Sequence, residues 1–275
     1  MRTGFLLPEE NRMLLRCRGT MDESVRRFDG RVGEYARYRE RYDPEVLLPR
    51  FREWCGLQPE WTVADIGAGT GMLSDVFLAN GSRVIGVEPN AEMRQMCAEL
   101  HADDARLTMV DGTAEATGLE DGSIEMVVAG RALHWFDVER AMAEFRRILK
   151  PDGWVAIVAF GRSMEGREEN TAFEKVLGER VEKKVDVSAI YEIYRKVEDI
   201  LTRDFHHEEI HGTMTLTWDE LYGMAMSLSS APLAGDALHA QFVEGFREYF
   251  DHYAVGGGVT LDTRYWINAG RFSTR

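Results

Sequence analysis

Trp61–Ile66 (WTVADI) runs directly into Gly67-Ala68-Gly69-Thr70-Gly71, and this junction decides the fold. A short, mostly apolar run suits a buried strand. The glycines behind it let the chain turn sharply into a helix while its backbone stays open to a ligand. Met72–Ala79 reads as that helix, stopped by Asn80-Gly81. Further on, Arg83–Val87 (RVIGV) is a second strand, and Asn90 is a good N-cap for a helix over Ala91–Leu100. Leu107–Val110 and Ile124–Ala129 are a third and a fourth strand. Val138–Leu149 is an amphipathic helix closed by Lys150-Pro151-Asp152-Gly153, and Trp154–Phe160 is a fifth strand. Strands alternating with helices at this spacing predict an α/β, doubly wound, mostly parallel sheet.

Such sheets bind ligands at the carboxyl ends of their strands, where the strand order reverses. The glycine-rich turn therefore sits where a ligand would. A dinucleotide fingerprint needs glycine at its first, third and sixth positions, and here the sixth is Met72. Glu88 ends the second strand, 23 residues after Asp65, where a carboxylate can accept hydrogen bonds from both ribose hydroxyls of a nucleoside.

With these residues in place, five ordered segments resemble the motifs of the class I S-adenosylmethionine-dependent methyltransferases. They are Val63–Leu73 (VADIGAGTGML), Val84–Asn90 (VIGVEPN), Gly112–Leu119 (GTAEATGL), Ala129–Asp137 (AGRALHWFD) and Arg147–Trp154 (RILKPDGW). The nearest likeness is to the type-11 branch, whose members act on small metabolites such as trans-aconitate. The resemblance implies a Rossmann-like sheet with one antiparallel edge strand, N-terminal cap helices and a helical lid insertion. It implies S-adenosyl-L-methionine as cofactor and S-adenosyl-L-homocysteine as product. The methionine end would lie over Gly67, Ala68 and Gly69, with Asp65 organising the turn or meeting the ammonium, and the ribose would meet Glu88. Adenine would lie among Pro89, Met93, Thr113 and Ala114; many relatives carry a carboxylate where this chain has Thr113, and Glu115 is a nearby substitute. Gly130 and Ala132 would border the sulfonium.

Acceptor contacts fall on Arg131, His134 and Trp135. Arg131 either receives an anionic acceptor, since a guanidinium matches a carboxylate bidentately, or pairs with a nearby acid. His134 either takes a proton from the acceptor or packs with Trp135. Residues 26–54 hold eight arginines against six acids inside an otherwise acidic chain. Tyr35, Tyr38, Arg39 and Tyr42 share one helix face there. The resemblance makes this a cap, with Tyr35 and Arg39 on the cofactor and Tyr38 on the acceptor. Tyr191 and Tyr194 would sit in the lid.

The expected organisation is a flexible tail over 1–24, a cofactor-binding core with its cap over 25–160, a helical lid over 161–205, and C-terminal strands and helices over 206–275. In the last parts, helices are expected over 168–185, 189–202, 218–226 and 238–253, and strands over 208–216 and 259–267.

Composition limits the partners. The formal net charge is −14 over 275 residues, which disfavours nucleic acid and anionic membrane surfaces. The longest apolar run, Trp154–Phe160, is far short of the ~20 residues of a membrane span. Three cysteines without paired spacing read as reduced thiols, and His206, His207 and His211 lack companions for a metal site. A cytoplasmic small-molecule methyltransferase is the leading expectation. A non-catalytic S-adenosylmethionine-binding protein is the alternative from another class, and a nicotinamide-dependent oxidoreductase the one from the same fold.

Overall fold

The computed structural model describes residues 30, 32–163, 166–179 and 192–273. The readings of residues 1–24 and Tyr191, and parts of the helices expected over 168–185 and 189–202, lie outside these. Two helices, α1 (Val32–Tyr38) and α2 (Pro44–Cys55), precede the glycine-rich junction. Asp43 caps α2, its side chain accepting from the Glu45 amide at 2.8 Å, and Pro44 occupies the first turn, where its missing N–H costs nothing. The core then alternates: β1 (Thr62–Ile66), α3 (Ser74–Asn80), β2 (Arg83–Val87), α4 (Ala91–Leu100), β3 (Leu107–Val110), β4 (Ile124–Gly130), α5 (Val138–Ile148) and β5 (Leu149–Arg162). After β5 come α6 (Glu168–Glu179), a short α7 (Val197–Ile200), β6 (Arg203–Leu216), α8 (Trp218–Met226), α9 (His239–Tyr253) and β7 (Val259–Arg271).

The strands form one seven-stranded sheet in the order β3-β2-β1-β4-β5-β7-β6. β1 pairs in parallel with both β2 and β4, so the order reverses at the carboxyl end of β1, beside the glycine turn. β7 runs antiparallel to β5, and β6 pairs antiparallel to β7 along the outer edge.

Alternate residues of each strand face opposite layers. Val63, Met126, Val128, Ala156 and Val158 pack with Leu47, Phe51, Val76 and Phe77 from α2 and α3. Ala64, Ile66, Val127, Ala129, Val155 and Ile157 pack with Ala141, Met142, Phe145 and Ile148 of α5. Burying each of the fully shielded Phe51, Phe77 and Phe145 side chains contributes roughly 1.5–3 kcal/mol.

Two expectations change here. Lys150–Gly153 is not a turn outside the sheet: β5 begins at Leu149, which pairs with Ile124 across a bulge, and Asp152 takes a φ of 65°. The described residues of the segment expected over 161–205 do not form one helical unit. β5 continues to Arg162. α6 buries Phe173 against α8, α9, Val259 and Leu261, while Tyr194, Val197 and Leu201 are buried in the α5-side layer with Trp266 of β7. Apolar faces on both pieces draw them onto the sheet and its C-terminal helices.

Candidate active site

A cavity of about 790 Å³, including its open mouth, lies over the carboxyl ends of β1, β2 and β4. Its floor is the glycine turn. Gly67 and Gly69 line it with φ of 70° and 58°, a left-handed conformation that costs glycine no steric strain. At Gly69 the place a Cβ would take is open space, whereas at Gly67 it would lie 2.7 Å from the Ala132 Cβ. Ala68 does not line the cavity; it is buried with its methyl close to Gly86.

Glu88 lines the cavity from the end of β2 and is itself 9% exposed. Its Oε2 accepts from the Gly69 amide at 3.0 Å and its Oε1 from the Asn90 amide at 2.9 Å. One carboxylate thereby ties the glycine turn to the N-terminus of α4. Burial pushes its pKa up, against the pull of those two amides and of Arg94. Asp65 is buried beneath the turn. Ser74 Oγ donates to its Oδ2 at 2.7 Å, while Oδ1 has no hydrogen-bond partner, and burial lifts its carboxyl to about 7. Beside Glu88, Pro89, Met93, Thr113 and Ala114 form a mostly apolar side wall.

The opposite wall is Tyr35, Gly130, Arg131, Ala132 and Trp135, all expected from the sequence, with Phe136 added. Glu115 also lines the cavity, but its carboxylate accepts from the Asp137 amide at 2.5 Å and so braces the start of α5.

Arg131 corrects an expectation. Its Nη1 donates to Glu40 Oε2 at 2.8 Å and to the Phe160 carbonyl at 3.0 Å, and its Nη2 to the Glu40 carbonyl at 2.8 Å. The guanidinium is committed to locking the cap onto the core, in a residue with φ of 52°, a conformation rarely taken by non-glycine residues. Of the two roles open to it, pairing with an acid is the one present. Burial pushes the Glu40 carboxyl up, but Arg39, Arg131 and Arg162 outweigh that and hold it at about 2.

Five further expected contacts, Asp65, Arg39, His134, Tyr38 and Tyr194, are not among the lining residues. His134 sits on a 3-10 turn with its ring 4.6 Å from that of Trp135. Tyr38 packs instead on α8: a Cβ at Gly223 would fall 2.2 Å from its Cγ. Tyr194 is 3% exposed in the core, because its helix docks its apolar face on β7. Arg39 stands just behind the wall, its guanidinium 5.7 Å from the Tyr35 ring centre. Sequence reasoning missed Glu40, which had no local signal, while Phe136 lies inside the AGRALHWFD stretch that the resemblance sets beside the pocket.

Residues 64–157, which contribute β1 through most of β5 and nearly all of this wall, match the type-11 methyltransferase family model, described as a methyltransferase domain. Those residues thus resemble a type-11 methyltransferase domain. The chain is 34% identical over 152 residues to an uncharacterized methyltransferase of Mycobacterium tuberculosis, covering 55% of this chain and 57% of that one. An uncharacterized methyltransferase of Schizosaccharomyces pombe is 30% identical over 139 residues, 48% of this chain and 52% of its own. The chain thus spans just over half the length of these relatives. Among solved structures, a protein assigned as a type II methyltransferase from Anaeromyxobacter dehalogenans shares the fold with a TM-score of 0.59 at 23% identity, over 85% of this chain and 98% of that one. A phosphoethanolamine N-methyltransferase of Haemonchus contortus, solved with phosphomonomethylethanolamine and S-adenosylhomocysteine, has a TM-score of 0.51 at 18% identity, over 93% of this chain and 61% of that one. Among the described residues, no helix is long and apolar enough to cross a membrane, and no group of three or more His, Cys, Asp or Glu could hold a metal.

Proposed function

We propose that this chain transfers a methyl group from S-adenosyl-L-methionine to a small-molecule acceptor, leaving S-adenosyl-L-homocysteine. The observation that carries the reading is the Glu88 carboxylate, held at the cavity wall by the Gly69 and Asn90 amides, with oxygen lone pairs left for a ribose diol. The residues present fit this cofactor. Asp65 Oδ1 is a buried oxygen without a partner, suited to an ammonium, and Gly69 leaves open space above the turn. A pyrophosphate fits less well: the Gly69 amide it would need is taken by a carboxylate, which would also repel it.

When bound, S-adenosyl-L-methionine supplies an electrophilic methyl on a positively charged sulfur. The chain's own task is to orient, and to keep water out. Pro89, Met93 and Ala114 offer apolar faces to an adenine, with Thr113 at its polar edge. Tyr35, Trp135 and Phe136 provide an aromatic wall for the acceptor. Arg131 is engaged by Glu40 and so is withdrawn as receptor for an anionic acceptor. The described lining residues include no His or Lys, which suits an acceptor atom that attacks with a lone pair already free of its proton.

Calorimetric titration with S-adenosylmethionine, S-adenosylhomocysteine and NAD, on wild type and Glu88→Ala, tests this. Binding of the two adenosyl ligands only, weakened by ~1–3 kcal/mol in the variant, is the expected result. A preference for NAD, or no adenosyl binding, would overturn the reading.

A further inference from the structure

β6 closes one border of the sheet. Its 14 residues, Arg203–Leu216, pair with β7 on one side, and among the described residues no strand pairs with the other side. At the opposite border β3 has four residues. A long free edge presents a row of N–H and C=O groups that another strand can pair with. Chains that stay apart blunt such an edge with proline, bulges or like charges. β6 contains no proline. Its register shift lies at its start, between Arg203 and His206, and its pairing with β7 is unbroken from His206 to Leu216.

The charges on this edge are mixed, and their order suits a second copy of the same strand. The stretch reads His206-His207-Glu208-Glu209-Ile210-His211-Gly212. Ile210 stands opposite Tyr265 and is half-buried on the α2 side of the sheet. Glu209 and His211, opposite Trp266 and Arg264, lie on the α5 side and are exposed. When two such strands run antiparallel about a two-fold axis through the sheet, facing residues share one face, so the axis falls on a residue that meets its own copy. An axis at His206, His207, Glu208, Glu209 or His211 sets two histidines or two glutamates against each other. An axis at Ile210 does not. It joins two isoleucines, sets Glu209 opposite His211 twice over, and leaves Glu208 opposite Gly212 and His207 opposite Thr213. Glu208 is already satisfied in its own chain, its oxygens accepting from Arg50 Nε and Nη2 at 2.7 Å each. Axes from Gly212 onward make no pair of opposite charge within the strand.

We propose that β6 is a homodimerisation edge, pairing antiparallel with β6 of a second copy about an axis at Ile210. One sheet then runs through both copies. The backbone ladder supplies attraction for any strand, and the side-chain pairs select this partner and this register, since other registers oppose like groups. β5 and β7 separate β6 from the strands that carry the cavity, and no residue of β6 lines it, so the interface stands apart from the proposed reaction.

Sedimentation equilibrium of the full chain over a range of concentrations reads the association directly. Wild type is expected as a dimer. Glu209→Lys and His211→Glu each remove both opposite-charge pairs and should each weaken association, and His211→Glu, which also sets glutamates face to face, should do so about tenfold or more. The double variant Glu209→Lys/His211→Glu restores opposite charges in exchanged order and should recover the wild-type dimer. Thermal melts of each protein monitor folding. A monomeric wild type, a dimer indifferent to the single changes, or a double variant no better than His211→Glu overturns the proposal. Should a charge variant not fold, Ile210→Cys and Thr215→Cys decide. Facing residues on antiparallel strands have Cα atoms about 4.5–5.5 Å apart, within reach of a disulfide. Oxidation should therefore link Ile210→Cys chains in pairs and leave Thr215→Cys chains single; linkage of both, or of neither, overturns the proposal.

Discussion

The Arg131 guanidinium grips Glu40 twice, through Nη1 to the side-chain carboxylate and through Nη2 to the same residue's backbone carbonyl, each at 2.8 Å. Glu40 follows the cap helix and Arg131 follows β4, so this pair fastens the roof of the cavity to its floor. Breaking a buried pair from one side strands the other charge, which costs about 3–5 kcal/mol. Arg131→Met and Glu40→Met should each lower stability by that order in chemical denaturation. The double variant should lose less than the two single losses added together. Additive losses would mean that the residues do not act as a unit.

The glycines of the turn divide between stability and binding. At Gly71, with φ of 89°, a Cβ would meet Cys97 Sγ at 2.7 Å and His101 Cε1 at 2.8 Å. Gly71→Ala should therefore cost more than the ~1–2 kcal/mol of a left-handed alanine alone. Gly69→Ala meets nothing and should cost only that backbone term. Its methyl, however, would stand on the cavity floor, so S-adenosylhomocysteine affinity should fall at least tenfold. Denaturation midpoints paired with titrations separate the two effects.

Asp65 gives a pH dependence whose sign is opposite to that of an ion-paired carboxylate. Burial lifts its folded-state pKa to about 7, well above its ordinary value of 3.8. Between those values the folded protein holds a proton that the unfolded chain has released, so this group's contribution to stability falls as pH rises from about 4 to about 7. Wild type minus Asp65→Asn stability, measured across that range, should decline with pH and then level off. Affinity for S-adenosylhomocysteine should rise between pH 6 and 7.5, as Asp65 ionises opposite the ammonium, and Asp65→Asn should flatten that rise.

His101 titrates in the other direction. Its Nε2 meets Asp75 Oδ1 at 2.7 Å and its Nδ1 meets the Cys97 carbonyl at 2.8 Å, and the Asp75 and Cys97 partners raise its pKa to about 10. A raised histidine stabilises fully below its ordinary value of 6.5, and the effect is lost as pH climbs through 10. Relative to His101→Gln, wild type should keep its advantage at pH 6 and surrender it progressively between about pH 6.5 and 10. The loop most affected should be the glycine turn, because His101 packs beneath Gly71.

The legible part of this molecule is the part built from local chemistry. A strand run meeting glycines, an asparagine before a helix and a carboxylate ending a strand each carry their reason within a few residues, and β1, β2 and α4 lie within two residues of where the sequence places them. Gly67, Gly69 and Glu88 in the cavity wall follow from those same local junctions, whereas Thr113 and Trp135 came with the methyltransferase resemblance. What escaped depended on distant partners. Nothing around Arg131 reveals that Glu40, 91 residues earlier, will claim it. Tyr38 shares a predicted helix face with Tyr35, yet only the absence of a side chain at Gly223 decides that its ring leaves the cavity. Tyr194 likewise reads as a lid residue over the acceptor until β7 gives its helix a surface to cover.

That contact between Tyr38 and Gly223 reaches beyond packing. Gly223 lies on α8, outside residues 64–157 that carry the methyltransferase match, and the helix it admits roofs the cavity through Tyr35. Sequence change can therefore reshape this cavity without touching a single residue of its lining. A mutation in α8 bears on the roof, while the glycine floor, built from the other half of the chain, is left as it was. Divergence among relatives that share the matched domain but differ after it is where new acceptors would arise.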